Sequence, residues 1–192
     1  MKRRRHILIE QKKLELNSLK VRDMVQVSLM AAIIYISTAI INIPTPGVIF
    51  KGVVHLGDSM VLLGAILLGK RKGFFSAAVG MCLFDILSPY AVWAPFTFFI
   101  KGIMAWIAAA IAYRKGNNGE KFANNVFAFT IACIWMILAY YVVGALMMHF
   151  VANLGLVKAF AVSAAEIPGN IAQSLMGMVI ALPLSRILKR KI

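Results

Sequence analysis

Six long apolar runs, separated by short polar connections, constrain this chain more than any other feature of its sequence. The runs cover residues 24–43, 55–69, 74–92, 94–113, 125–150 and 165–188. A helix needs about 20 apolar residues to cross the hydrocarbon core of a bilayer, although about 17 can suffice. The pattern therefore predicts an all-α integral membrane protein, a bundle of six transmembrane helices. Because the run 55–69 is short, the alternative is five spans with a re-entrant second segment.

Composition and motifs exclude several other classes of protein. Of the 192 residues, 61% are hydrophobic and 15% are charged, whereas a soluble domain has roughly 45–50% apolar and about 25% charged residues. Cys82 and Cys133 both lie in apolar runs, so we expect neither a disulfide framework nor a metal site. The segment 64–70 resembles a phosphate-binding loop, but Arg71 replaces the Ser or Thr that holds Mg²⁺. We therefore expect no enzyme activity, no ATPase site and no cofactor in this chain.

The distribution of basic residues predicts the orientation in the membrane. The net charge is +14, from 21 Lys and Arg against 7 Asp and Glu. If the N-terminus is cytoplasmic, every Lys and Arg except Lys51, Lys101 and Lys158 falls on the cytoplasmic side. The positive-inside rule then places both termini in the cytoplasm. The expected location of the chain is the cell membrane, as a multi-pass protein. This arrangement explains the charge without nucleic acid.

The charge pattern and the apolar runs together divide the chain into three parts. Residues 1–23 are predicted to be a basic amphipathic cytoplasmic segment without a cleavable signal, which contacts anionic lipid or docks a partner. Residues 24–188 form the membrane domain, and residues 189–192 form a basic cytoplasmic tail.

The ionisable residues inside the predicted spans gather at one depth. Such a residue is costly in a bilayer and marks a candidate functional site. Because consecutive spans run in opposite directions, His55, Asp58, Asp85, Lys101 and Glu166 all fall in the outer third. A proton relay or a continuous pore needs polar groups at several depths. The pattern instead predicts a substrate pocket that opens to the outside.

Four further side chains are candidates for this pocket. Asn170 and Gln173 follow Glu166 on one helical face, and each can donate and accept hydrogen bonds, which suits a heteroaromatic ring. Trp93 and Tyr140 are candidates for stacking on that ring. Each interpretation has an alternative, because amides also join packed helices and aromatic residues also gather at membrane interfaces.

Two features of the same region have structural alternatives. Lys101 can pair with Asp85 or Asp58, which would make these charges structural rather than ligand-binding. The outer segment 44–54 is rich in proline and glycine and is a candidate lid over the pocket or a plain connector.

Three stretches of the chain resemble the substrate-binding S component of energy-coupling factor (ECF) transporters. They are HLGDSMVLLGAILLGKRKG at 55–73, AVWAPFTFFIKG at 91–102 and EIPGN at 166–170. The resemblance covers about residues 24–188. It implies a six-helix substrate-binding subunit that captures a vitamin from outside and associates with a membrane scaffold subunit and two cytoplasmic ATPases. The ATP is then hydrolysed by those partners.

The resemblance also suggests a docking face and a substrate class. Members of the family carry a small-residue face on the first span for the scaffold, and its nearest match here is Ser28, Ala31 and Ala32. A small heteroaromatic vitamin, hydroxymethylpyrimidine or pyridoxine, fits the expected polar groups, whereas riboflavin and pantothenate are alternatives.

Two other functions remain alternatives at this point. One is a stand-alone secondary transporter coupled to protons through Asp85 or Glu166. The other is a membrane enzyme that uses His55 and Asp58.

Overall fold

The computed structural model of the chain is a helical bundle with one small β-hairpin. It describes residues 2–45 and 52–189, with side chains described over 20–44 and 53–189. The elements are α1 (Lys2–Ile40), β1 (Asn42–Thr45), β2 (Gly52–His55), α2 (Gly57–Ile86), α3 (Ala94–Ala112), α4 (Phe122–Phe150), α5 (Leu156–Ser163) and α6 (Ile167–Lys189). Helix α1 joins the predicted segment 1–23 to the predicted span 24–43 without a break and ends at Ile40, so that Asn42 and Ile43 belong to β1. Residues 190–192 of the predicted tail lie outside the described residues.

Four helical stretches of the described chain are long and apolar enough to cross a bilayer. They are Lys20–Ile40, Ala91–Ala112, Phe122–Phe150 and Leu156–Lys189. The chain between the first two of these stretches contains α2, which carries Lys70, Arg71 and Lys72 near its middle. The prediction of six crossings and the cytoplasmic placement of both termini stay predictions.

Helix α2 is broken near its middle and folds back on itself. Gly69 has φ +77° and ψ −174°, which separates a first arm, residues 57–68, from a second arm, residues 70–86. A Cβ atom built on Gly73 would lie 3.1 Å from the Cα of Ala65, whereas residues eight apart in a straight helix are separated by about 12 Å. At 1.5 Å per residue the first arm extends only about 18 Å, less than the hydrocarbon core.

The segment that precedes α2 contains strands that the sequence analysis did not predict. β1 pairs antiparallel with β2, with Asn42 opposite His55 and Thr45 opposite Gly52. Residues 46–51, which make up most of the candidate lid, lie outside the described residues. The hairpin brings His55 to the start of α2, and β2 also lies against α6.

The core of the bundle depends on small side chains that let the helices approach closely. On α3 the side chains of Ala105, Ala108 and Ala112 form a stripe that is fully buried, at 0% exposure. Gly80 of α2 faces α1 so closely that a Cβ atom there would lie 2.6 Å from the Ala31 carbonyl oxygen. Ala31 is therefore buried inside the bundle rather than on a free docking face, whereas Ser28 and Ala32 are exposed on α1.

Basic residues and their partners collect at one end of the bundle, which we call the basic end. Lys72 lies 3.0 Å from the Asp23 carboxylate of α1. Tyr113, after α3, donates to the Ile66 carbonyl oxygen over 2.7 Å and accepts from Lys189 at the end of α6 over 3.2 Å. These contacts connect the ends of helices that the charge pattern predicts to lie together on the cytoplasmic side of the membrane.

Candidate functional site

A cavity lies at the end of the bundle opposite the basic end, next to the hairpin. It contains about 700 Å³ of empty space, including the part that is open to solvent. Its walls come from β2, the end of α2, the start of α3, the end of α4 and the start of α6. Seven of the nine residues predicted for the pocket line it: His55, Asp85, Trp93, Tyr140, Glu166, Asn170 and Gln173.

The other part of the lining is mainly apolar and lies outside the nine residues predicted for the pocket. It consists of Val53, Val54, Met81, Tyr90, Thr97, Gly144, Met148 and Gly169. Most of these residues lie inside apolar runs, where nothing distinguishes a cavity wall from a lipid-facing or core position. The valines belong to the strand β2, which gives them a fixed position at the cavity.

The remaining two predicted residues, Asp58 and Lys101, do not occur among the described lining residues. The Lys101 Nζ atom lies 2.6 Å from Asp58 Oδ1, and both side chains have 0% exposure. Lys101 also lies 3.0 Å from the Met136 sulfur. Of the two ion pairs that the sequence allowed for Lys101, the structure contains the one with Asp58.

Gln173 connects this buried ion pair to the cavity. Its Nε2 atom donates to Asp58 Oδ2 over 2.6 Å, and the side chain is 3% exposed. The contact depends on a close approach of α6 to α2, since a Cβ atom on Gly177 would lie 3.3 Å from the Asp58 Cβ atom. Gly177 lies one turn after Gln173, so it brings the amide within reach of the carboxylate.

Two of the cavity residues carry buried polar atoms that have no hydrogen-bond partner. Among the described side chains there are four such atoms, and His55 Nδ1 and Asp85 Oδ2 are the two that line the cavity. His55 is 4% and Asp85 is 5% exposed. Since a buried polar atom without a partner costs about 1–3 kcal/mol, such atoms are uncommon in folded proteins. Both atoms belong to residues of the cavity wall.

Aromatic rings occupy two sides of the cavity. The Trp93 and Tyr140 rings have centroids 5.9 Å apart, and the Tyr140 hydroxyl lies 3.2 Å from Thr97 Oγ1. On another side Tyr90 stacks on Phe84 with centroids 6.1 Å apart. Ring faces beside a few convergent polar groups are typical of sites for small planar ligands.

The family model for ECF-type riboflavin transporter S components matches residues 18–190 of the chain. The chain belongs to this family. The resemblance to S components that the sequence analysis identified is thereby confirmed, and so is the prediction of a membrane protein. Members of the family are the substrate-binding subunits of vitamin transporters and work with the scaffold and ATPases of an ECF module.

Two further proteins are similar to this S component. A protein of Pyrococcus woesei, described as an uncharacterized protein in gap 3'region, is 30% identical over 157 residues, which cover 82% of this chain and 95% of that protein. A solved structure described as "Structure and mechanism of the S component of a bacterial ECF transporter" has a TM-score of 0.68 and 19% identity, and covers 89% of this chain and 97% of that chain. The second likeness shows the fold.

Proposed function

We propose that this S component captures riboflavin from outside the cell for an ATP-driven ECF transporter. The observation that carries the proposal is the match of residues 18–190 to the riboflavin family. The lining of the cavity supports it, because aromatic and apolar side chains surround a few convergent polar groups, as is typical of sites for small molecules. We therefore propose riboflavin as the substrate, in place of hydroxymethylpyrimidine and pyridoxine, which the sequence analysis favoured.

The lining of the cavity suits the two parts of this ligand. The rings of Trp93, Tyr140 and Tyr90 provide faces for the flat isoalloxazine ring. The amides of Asn170 and Gln173 and the unpartnered atoms of His55 and Asp85 provide hydrogen-bonding groups for the ring edge and the ribityl hydroxyls. Glu166, half-buried at the start of α6, lies on the same wall.

The assembly is part of the proposal. A membrane scaffold subunit and two cytoplasmic ATPases supply the energy, and the exposed Ser28 and Ala32 of α1 contact the scaffold. No cofactor is held in this chain, which has no catalytic residue of its own. The basic end faces the cytoplasm with both termini, and the cavity end faces outward.

Binding to the purified chain tests the proposed substrate. Riboflavin fluorescence should be quenched on titration with the protein in detergent, with hydroxymethylpyrimidine, pyridoxine and pantothenate present as competitors in separate samples. Mass spectrometry of small molecules that co-purify with the chain provides an independent measurement. If one of the competitors binds more tightly than riboflavin, that vitamin and not riboflavin is the substrate.

Uptake measurements test the transport mechanism. Vesicles that contain the chain together with a scaffold and ATPases should accumulate riboflavin with ATP, whereas the chain alone with a proton gradient should not. Accumulation by the chain alone would favour a stand-alone carrier. Turnover of the ligand that is lost in His55→Ala would favour an enzyme.

A further inference from the structure

The ion pair between Lys101 and Asp58 contacts the side-chain amide of Gln173, which belongs to the cavity wall. We propose that Asp58 and Lys101 are positioning residues, which hold the Gln173 amide so that its oxygen faces the ligand. The inference rests on the proposed function only in placing the ligand in this cavity. It gives the inner wall a hydrogen-bond acceptor of fixed orientation.

The hydrogen bonds around Asp58 assign this orientation. Oδ1 accepts from Lys101 over 2.6 Å and Oδ2 accepts from the Gln173 Nε2 atom over 2.6 Å. A carboxylate that is paired with an ammonium group has only acceptor atoms, so the NH₂ side of the amide must face it. The amide oxygen then lies on the other side of the group, and Gln173 lines the cavity.

Burial makes the orientation strict. Asp58 and Lys101 have 0% and Gln173 has 3% exposure. The Met136 sulfur lies 3.0 Å from Lys101 Nζ and 3.9 Å from Gln173 Nε2. These groups therefore have a thioether beside them and almost no contact with solvent. If the Gln173 amide were reversed, its oxygen would lie against a carboxylate oxygen of Asp58, an arrangement that is electrostatically unfavourable.

The fixed acceptor has a consequence for recognition. Asp85 Oδ2, which also lines the cavity and has no partner, is a second acceptor. A ligand that presents N–H or O–H donors to these two atoms is favoured over an isostere that presents acceptors, because two facing acceptors leave both groups unpaired. Asp58 and Lys101 therefore contribute to selectivity without touching the ligand.

The double substitution Asp58→Asn, Lys101→Met tests the inference. It removes both charges at similar side-chain volume, so the fold should be retained. The amide that replaces the carboxylate can accept as well as donate, so the Gln173 amide is no longer restricted to one orientation. Riboflavin affinity should fall about 3- to 10-fold, the loss of roughly one hydrogen bond. The matched control Asp23→Asn, Lys72→Met removes the ion pair at the basic end and should change affinity less than about twofold.

A second readout needs no ligand. In the wild-type chain, the ¹⁵N side-chain amide resonances of Gln173, assigned from their loss in Gln173→Met, should be protected from hydrogen exchange. In the double variant this protection should be lost. If the Met-containing variant does not fold, Asp58→Asn, Lys101→Gln keeps polar side chains at both positions and should give the same two losses.

The outcomes separate this inference from the proposed function. If the wild-type chain does not bind riboflavin, the proposed substrate is wrong, and the amide resonances alone decide the role of the ion pair. If a folded double variant retains both the protected Gln173 amide and the wild-type affinity, the ion pair only stabilises the fold and the inference is overturned.

Discussion

Replacing Lys101 by methionine should destabilise this S component far more than the loss of any exposed charge. Both partners of the Lys101–Asp58 pair have 0% exposure and their charged atoms lie 2.6 Å apart. Without Lys101, the Asp58 carboxylate stays buried with only the Gln173 amide as a side-chain partner. Removal of one partner of a buried pair costs about 3–5 kcal/mol, so the free energy of unfolding should fall by about that amount.

The assay is equilibrium unfolding by SDS in mixed detergent micelles, followed by circular dichroism. Lys72→Met is the control, since the Lys72 and Asp23 side chains are 30% and 51% exposed and such a pair contributes about 0–1 kcal/mol. Adding Asp58→Asn to Lys101→Met should recover most of the loss, because the uncompensated charge is then gone. A loss below about 1 kcal/mol, or no recovery in the double variant, would refute this reasoning.

Three further predictions concern the break in α2 and the wall formed by α6. Gly69→Ala should lower the free energy of unfolding by about 1–3 kcal/mol in the same assay, because φ +77° with ψ −174° is accessible mainly to glycine. Asn170→Ala and Glu166→Ala should each weaken riboflavin binding about 5- to 100-fold in fluorescence titrations, as expected for a lost buried hydrogen bond. Gly177→Leu should separate α6 from Asp58, so that both the unfolding free energy and the riboflavin affinity fall.

Each of these predictions has a result that contradicts it. Wild-type stability of Gly69→Ala would mean that the break does not need a glycine conformation. Unchanged riboflavin affinity in both Asn170→Ala and Glu166→Ala would show that these residues at and beside the start of α6 do not contribute to the binding site. Wild-type affinity in Gly177→Leu would show that the Gln173–Asp58 contact tolerates a displaced helix.

The convergence of the polar residues could be predicted from the sequence because depth follows from position along a span. Glu166 and His55 each begin an apolar run, and Asp85 lies near the end of one. If consecutive predicted spans alternate in direction, these positions meet at one end of the bundle, and the structure places all three at the cavity. This argument needs only helix rise and chain direction.

The choice between Asp58 and Asp85 as the partner of Lys101 could not be predicted in the same way. Both carboxylates lie at suitable depth, so the partner depends on how each helix is rotated about its axis. Close packing determines that rotation, here through the contact of Gly177 with Asp58. A periodic pattern identifies the buried face of a helix but not the neighbour that it meets.

The hairpin was missed, whereas the break in α2 agrees with the sequence analysis, in which the apolar run 55–69 ends at Gly69. β1 contains Pro44 and β2 begins at Gly52, so this short segment resembles a loop in sequence. A strand of four residues forms only when a partner is available, and its partner lies across residues 46–51. The break at Gly69 could be predicted because three basic residues, Lys70, Arg71 and Lys72, follow this glycine directly and separate two apolar runs.

The pairing of Lys101 with Asp58 changes what the cavity can attract. The sequence analysis placed three carboxylates at the same depth as Lys101 and His55, a balance of charges that does not favour an anionic ligand. In the structure Asp58 and Lys101 form an ion pair beneath the cavity, and the described lining residues include the carboxyl groups of Asp85 and Glu166 but no Lys or Arg. An anionic ligand would have to approach these carboxyl groups without a compensating cation, at a cost that burial increases. Pantothenate carries such a charge, whereas riboflavin is neutral and rich in O–H donors, so the same ion pair that orients Gln173 also leaves the cavity suited to a neutral vitamin.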